Sequence, residues 1–169
     1  MYCAFVQAGG AAEYEQVLEI YKKSDLSEEK RRCLLALGAT TDVALLKRTI
    51  GFAISPDVRA QDVVAPISSV ASNVHNGHEL AWSYFVEHFA AFDKGFNTGG
   101  QSFLLSGIVG SVAPGHSFEH AKAVEAFFAE HPWPAANKAV NSAIESTKIA
   151  AARLERDGPL LLAWLTSRV

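Results

Sequence analysis

Two histidine-containing stretches have residue types that could bind a metal. The first is His78-Glu79, which begins the zinc-binding pattern H-E-x-x-H. In that pattern two histidines one helical turn apart bind the ion, and the glutamate acts as a general base. The position that needs the second histidine is occupied by Trp82. The stretch therefore lacks a ligand, and we expect no zinc site there.

The second stretch, His116-Ser117-Phe118-Glu119-His120, fits the inverted pattern H-x-x-E-H. Both histidines would have to share one helical face, but His116 directly follows Pro114-Gly115 and so lies before the helix or in its first turn. We interpret the stretch as a helix N-terminus, where the carboxylate of Glu119 favours the helix dipole. The prediction is that this chain has no catalytic and no metal-binding residue. A small metallohydrolase using His116 and His120 is the alternative that metal analysis would exclude.

A third polar cluster, Val58-Arg59-Ala60-Gln61-Asp62, lies at a predicted corner between helices. Asp62 could favour a helix N-terminus, and Arg59 could bond a carbonyl group or Asp62 itself. Alternatively, Arg59, Gln61 and Asp62 could face a bound peptide or a neighbouring domain. We retain these three as the candidate site residues, although corner ion pairs are commonly structural.

The elements that would position these residues are helices. Trp82, Phe85, Val86 and Phe89 follow the spacing i, i+3, i+4 and i+7, which places four large apolar side chains on one helical stripe. Similar stripes recur along the chain, and strand signals are scarce. The pattern predicts an all-α fold of about nine to ten antiparallel helices in a HEAT/armadillo-like superhelix, with residues 1–169 forming a single domain. A compact bundle is the alternative architecture.

Local signals predict where several helices begin and end. Ser27 and Thr41 are expected N-caps. Pro66 lies inside a predicted helix, so that helix is kinked or begins later. Gly158-Pro159 is expected to separate a long alanine-rich helix from a final short one.

Composition excludes several classes of protein. Hydrophobic residues make up 49% of the 169 residues and charged residues 20%, which argues against disorder. The net charge of −3 comes without a basic patch, so we expect no nucleic-acid partner. No stretch approaches the ~20 apolar residues that span a bilayer, so we expect no membrane partner. Cys3 and Cys33 are expected to be buried thiols in a reducing compartment, which favours a cytoplasmic protein.

Several segments together resemble a known family. In chain order they are Glu29-Lys30 with Cys33–Gly38, Phe52–Ser55 followed by Val58–Asp62, Ala81–Val86, and Val124–Pro132. Their order and spacing resemble the C-terminal helical domain of the gluzincin zinc aminopeptidases. The puromycin-sensitive aminopeptidases are the group to which the likeness is greatest, with the endoplasmic-reticulum aminopeptidases more distant.

The resemblance implies a function for the chain. In that family a HEAT-like superhelix forms a bowl over the catalytic domain, encloses the substrate chamber and limits peptide access. The family's zinc motif and its G-A-M-E-N motif belong to an upstream catalytic domain, and neither occurs here. We therefore expect a C-terminal fragment of a longer zinc aminopeptidase that is inactive alone and holds no cofactor itself. Its partners would be the catalytic domain of the same polypeptide and peptide substrates. An independent α-solenoid scaffold for protein–protein interaction is the alternative.

Overall fold

The structure, a computed structural model, describes residues 1–75, 77–97 and 102–168. Within these ranges the chain forms ten α-helices and no strand, which confirms the predicted all-α class. The helices are α1 (Tyr2–Ala8), α2 (Ala11–Lys23), α3 (Ser27–Leu37), α4 (Val43–Ala53), α5 (Val64–Ala71), α6 (Gly77–Glu87), α7 (Phe89–Phe92), α8 (Phe103–Val112), α9 (Phe118–Glu130) and α10 (Asn137–Thr166). Short 3₁₀ turns at Ala60–Asp62 and Pro134–Ala136 precede α5 and α10, and a π-helical turn at Asp93–Asn97 follows α7.

The helices pack in two layers. One layer contains α1, α3, α5, α8 and α10, and each of these contacts the next in that order. The other contains α2, α4, α6 and α9, which pack across onto their neighbours in the first layer, as α2 does onto α3 and α9 onto α10. Because successive helices other than α7 alternate between the two layers and pack against their neighbours, the arrangement is consistent with the predicted HEAT-like superhelix.

Two N-caps lie one residue from their predicted positions. Asp42, not Thr41, caps α4, because its carboxylate accepts hydrogen bonds from the backbone N–H groups of Ala44 and Leu45. Ser27 is the first residue of α3 and not its cap, a position taken by Leu26 without a side-chain hydrogen bond. The carboxylate of Asp42 reaches two of the free N–H groups of the first helical turn and so replaces the weaker hydroxyl cap.

The two prolines have different outcomes. Helix α5 begins at Val64, so Pro66 lies in its first turn, where the missing N–H has no partner to lose. This confirms the later-start alternative. Pro159, in contrast, lies inside α10, and the predicted break at Gly158-Pro159 is wrong. Residues 159 and 155 are both exposed, so the carbonyl group that loses its helical partner can bond water.

An aromatic cluster occupies the core between α6, α7 and α9. Trp133 and Phe85 are fully buried, and their rings lie 5.5 Å apart, centroid to centroid. The indole N–H of Trp133 donates to a carboxylate oxygen of Asp93 at 2.7 Å, as a buried tryptophan requires. The predicted stripe is only partly correct, because Val86 is exposed and Trp82 is half-buried at the edge of the cluster.

The two cysteines differ in environment. Cys33 is buried, and burial raises the pKa of its thiol to about 11. Cys3 is exposed, so the prediction that both thiols are buried is wrong for this residue. Cys3 lies on α1, which covers the core through Val6 while leaving most of its own surface open. None of the helices in the described ranges is both long enough and apolar enough to cross a membrane.

Candidate functional site

Three histidines that are far apart in sequence meet in one cleft. His78 is in the first turn of α6, His116 is in the connection between α8 and α9, and His120 is in the first turn of α9. The cleft has a volume of about 550 Å³. Its remaining lining comes from the end of α5 and the residues that follow it, together with Glu79 and Ser117. Both histidine patterns of the sequence therefore contribute to the same site.

Two glycines allow the histidines to approach. A Cβ atom on Gly77 would lie 2.0 Å from the carbonyl oxygen of Val70, so only glycine lets α6 begin this close to α5. A Cβ atom on Gly115 would lie 2.2 Å from the imidazole of His120. The backbone N–H of Gly115 also donates to the hydroxyl of Thr147 on α10 at 2.8 Å. This bond fixes the connection that carries His116.

His120 is held by three contacts, two of them made by its imidazole. Its Nε2 atom lies 2.9 Å from the carbonyl oxygen of Ala113, which requires a proton on that nitrogen. Its backbone N–H donates to the hydroxyl of Ser117, the N-cap of α9. The indole of Trp82 packs against the ring with centroids 5.4 Å apart. In the neutral tautomer that fits this contact, the proton is on Nε2 and Nδ1 is an acceptor.

His78 lies between the other two imidazoles. Its ring centroid is 5.1 Å from that of His120 and 5.9 Å from that of His116. The Nε2 atom of His78 is buried and has no hydrogen-bond partner among the described residues. Burial lowers the pKa of His78, and the neighbouring His120 and His116 lower it further, against a smaller opposing effect of Glu79. The ring is therefore neutral near pH 7.

The side chains around the cleft are not grouped as metal ligands. Within residues 1–75, 77–97 and 102–168, no group of three or more histidine, cysteine, aspartate or glutamate side chains could hold an ion. In the zinc pattern that His78-Glu79 begins, the next turn of α6 would supply a second imidazole. Trp82 stands there and packs against His120. The position of the second zinc ligand is thus taken by an indole, which has no free electron pair for a metal.

The three predicted site residues lie together at the corner before α5, but their contacts are local. The Nε of Arg59 donates to the Asp62 carboxylate at 2.7 Å. Its Nη1 donates to the hydroxyl of Ser27, at the start of α3, at 3.0 Å. The Asp62 side chain is 11% exposed and that of Arg59 is 43% exposed. Arg59 and Asp62 therefore brace the corner against α3, whereas Gln61 is exposed. A peptide or interdomain role for the three stays a prediction.

Sequence reasoning did not predict that the two histidine stretches meet in one cleft. The pattern at His78 lacks its second histidine, whereas the pattern at His116 is complete in sequence. Only the packing of α5, α6 and α9 brings the two stretches together. Gly77 and Gly115 carry the one signal that could have indicated the cleft, because glycine beside a helix start permits close backbone approach. That signal does not say which helices approach each other.

The chain matches known proteins over nearly its whole length. Residues 1–149 match the family described as ERAP1-like C-terminal domain. Aminopeptidase M1 of Arabidopsis thaliana is 34% identical over 139 residues, which cover 82% of this chain and 15% of that protein. Aminopeptidase N of Canis lupus familiaris is 28% identical over 97% of this chain and 17% of that protein. Alanine/arginine aminopeptidase of Saccharomyces cerevisiae is 28% identical over 93% of this chain and 18% of that protein.

The chain thus spans less than a fifth of the length of these curated relatives. The resemblance to the C-terminal helical domain of aminopeptidases is confirmed at the level of the family, and the finer placement beside the puromycin-sensitive group stays a prediction. With an all-helical two-layer fold and a family match that runs from residue 1 to residue 149, this chain belongs to the ERAP1-like C-terminal domain family.

Proposed function

We propose that this chain is a non-catalytic domain that covers the substrate chamber of a zinc aminopeptidase and controls the access of peptides. The observation that carries the proposal is membership of the C-terminal domain family in a chain whose histidines do not fit a bound zinc. Zinc would be held by the catalytic domain of the same polypeptide, where it would supply an activated water. The unpaired thiols of Cys3 and Cys33 support a cytoplasmic location, because reducing compartments keep thiols free.

The two-layer packing supports this role. Stacked helix pairs form extended curved surfaces that suit a flexible peptide or a large neighbouring domain. Arg59, Gln61 and Asp62 are proposed to face the peptide or the catalytic domain, with Gln61 free to make new contacts because it is exposed. The brace between Arg59 and Ser27 would hold that corner in a fixed position on the surface.

The proposal is tested by comparing a single-residue reporter with a long peptide. In the full-length polypeptide, Arg59→Ala is expected to raise the KM for the long peptide and to leave hydrolysis of an aminoacyl reporter unchanged, because the reporter is too short to reach this domain. Arg48→Ala is the matched control, since Arg48 is also exposed and ion-paired, with Glu15, away from the corner. The isolated chain with added zinc is expected to hydrolyse neither substrate.

Two outcomes would contradict the proposal. Zinc-dependent turnover by the isolated chain would place chemistry within it. Unchanged peptide kinetics after removal of the whole domain from a folded enzyme would show that it does not control access. An open reading frame without the upstream H-E-x-x-H and G-A-M-E-N motifs would instead favour an independent scaffold for a protein partner.

A further inference from the structure

The last part of α10 extends beyond the packed core. In its first part, one face of the helix is buried against the neighbouring helices; the buried residues on this face are Val140, Ala143, Thr147 and Ala151. The same helical register continues through Leu154, Gly158, Leu161 and Leu165. There it is uncovered, with Leu154, Leu161 and Leu165 exposed by 62%, 59% and 56%.

The end of the helix, residues 160–165, is apolar on every side. Leu160, Leu162 and Trp164 are also more than half exposed, and they lie on faces other than the one continued from the core. Polar residues flank this end, where Arg156 pairs with Asp157 before it and Arg168 lies over the Trp164 ring after it. We call residues 154–165 the α10 extension. A helix that is apolar on all sides is normally surrounded by other parts of a protein and shielded from water.

We propose that the α10 extension is the segment by which this domain docks into an apolar groove on the remaining, catalytic part of the same polypeptide. The inference rests on the function proposed above and names the contact surface for it. Aminopeptidase N of Canis lupus familiaris aligns over 97% of this chain, which is only 17% of its own length. In a protein of that organisation, most of the polypeptide is available to cover the extension.

A second copy of the chain fits these observations less well. Two extensions lying side by side would cover one face of each helix and leave the other apolar faces in water. The stretch that is apolar on all sides, residues 160–165, is about 9 Å long. A contact of that length falls well below the ~800 Å² that each partner buries in a stable interface. Insertion into a groove of the helix-in-groove type covers all faces at once.

The test compares amide hydrogen exchange of residues 154–165 in the isolated chain and in the full-length polypeptide. We expect exchange in the full-length protein to be at least about tenfold slower, because docking adds protection against local opening. The double substitution Leu161→Glu with Leu165→Glu is expected to remove this extra protection. In the isolated chain it is expected to leave the Tm unchanged, since both side chains are already exposed. The control is Leu26→Glu, at a leucine 71% exposed elsewhere.

Equal exchange rates in the two wild-type proteins would overturn the proposal, and that comparison needs no variant to fold. Concentration-dependent dimerisation of the isolated chain with protection of the extension would overturn it in favour of a second copy. The result is separable from the test of chamber control. Slower exchange of residues 154–165 without any effect on peptide kinetics would support the docking and reject the role in peptide access. Altered peptide kinetics without slower exchange would support the role in access and reject the docking.

Discussion

The imidazole of His78 lies 5.1 Å from that of His120, and the buried Nε2 atom of His78 has no hydrogen-bond partner in the part of the chain that the structure describes. A proton on that nitrogen would be buried without an acceptor and would face two further imidazoles. Protonation of His78 therefore disfavours the contact between α6 and α9 at this pair of imidazoles.

This arrangement predicts a loss of stability on mild acidification. The pKa of His78 is lowered below its ordinary value of 6.5 by burial and by His120 and His116. Below pH 6.5 the unfolded chain then binds more protons than the folded one, so the free energy of unfolding falls as the pH drops. Above pH 6.5 His78 is neutral in both states, and the full stability is retained. Urea unfolding at about pH 8 and about pH 5 measures the difference.

The matched variants isolate the contribution of His78. His78→Gln cannot titrate, so its unfolding free energy is expected to depend less on pH than that of the wild type. His75→Gln changes an exposed histidine outside the ring cluster and is expected to keep the wild-type dependence. An identical pH profile for His78→Gln and the wild type would show that the cluster does not titrate in this way.

Gly77→Ala is expected to destabilise the domain by about 1–3 kcal/mol, because its Cβ atom would overlap the carbonyl oxygen of Val70. Gly110→Ala is the opposite case. Gly110 lies inside α8, and apart from its chain neighbours and the backbone of its own helix no atom lies within 4 Å of the place that a Cβ atom would take. Alanine is therefore expected to stabilise the helix by about 0.5–1 kcal/mol. Thermal unfolding followed by circular dichroism would show shifts of opposite sign. Equal shifts would mean that α5 and α6 are not in close contact.

Trp133→Ala is expected to cost about 3–5 kcal/mol, since it removes a fully buried indole from the aromatic cluster. Trp82→Ala is expected to cost less, because Trp82 is half-buried. Chemical unfolding of both variants in urea gives the comparison. A larger loss for Trp82→Ala would show that the cleft, rather than the cluster around Trp133, dominates the core.

Tyr14 and Thr49 share a buried hydrogen bond of 2.9 Å between α2 and α4. Thr49→Val is expected to cost about 1–3 kcal/mol, because it leaves the Tyr14 hydroxyl buried without that partner. Adding Tyr14→Phe removes the stranded hydroxyl and is expected to recover part of the loss. A double-mutant cycle measures the coupling between the two sites. Strictly additive losses would show that the hydroxyl finds another partner.

Features that depend on a local sequence pattern, such as the positions of the helices, can be predicted well from the sequence. Apolar spacing identifies the helices, and ordered segments such as Ala81–Val86 carry the family likeness. The N-caps expected at Ser27 and Thr41 are each wrong by one residue. At Thr41 the neighbouring Asp42 offers the better cap, whereas α3 begins after Leu26 without any side-chain cap, so the sequence holds no capping signal there. The break expected at Pro159 is wrong because its exposure, which makes the lost hydrogen bond tolerable, cannot be seen in the sequence.

The histidine cleft lies beyond such reasoning for a different reason. His78 and His120 meet only because Gly77 brings α6 against α5 and Gly115 makes room for the His120 ring. The positions of these close approaches depend on which helices become neighbours. That is a property of the packed layers, and no segment of the chain specifies it alone.

The order of the helices within the two layers has a consequence for how the domain folds. The main contacts between helices join elements no more than three positions apart in helix order, so the two ends of the chain need not meet for the domain to form. Such low contact order favours rapid assembly from local pieces. Local unfolding at one end of the domain is also confined to that end. Helix α1 can fray while α9 and α10 keep their contact with each other and α10 keeps its contact with α8.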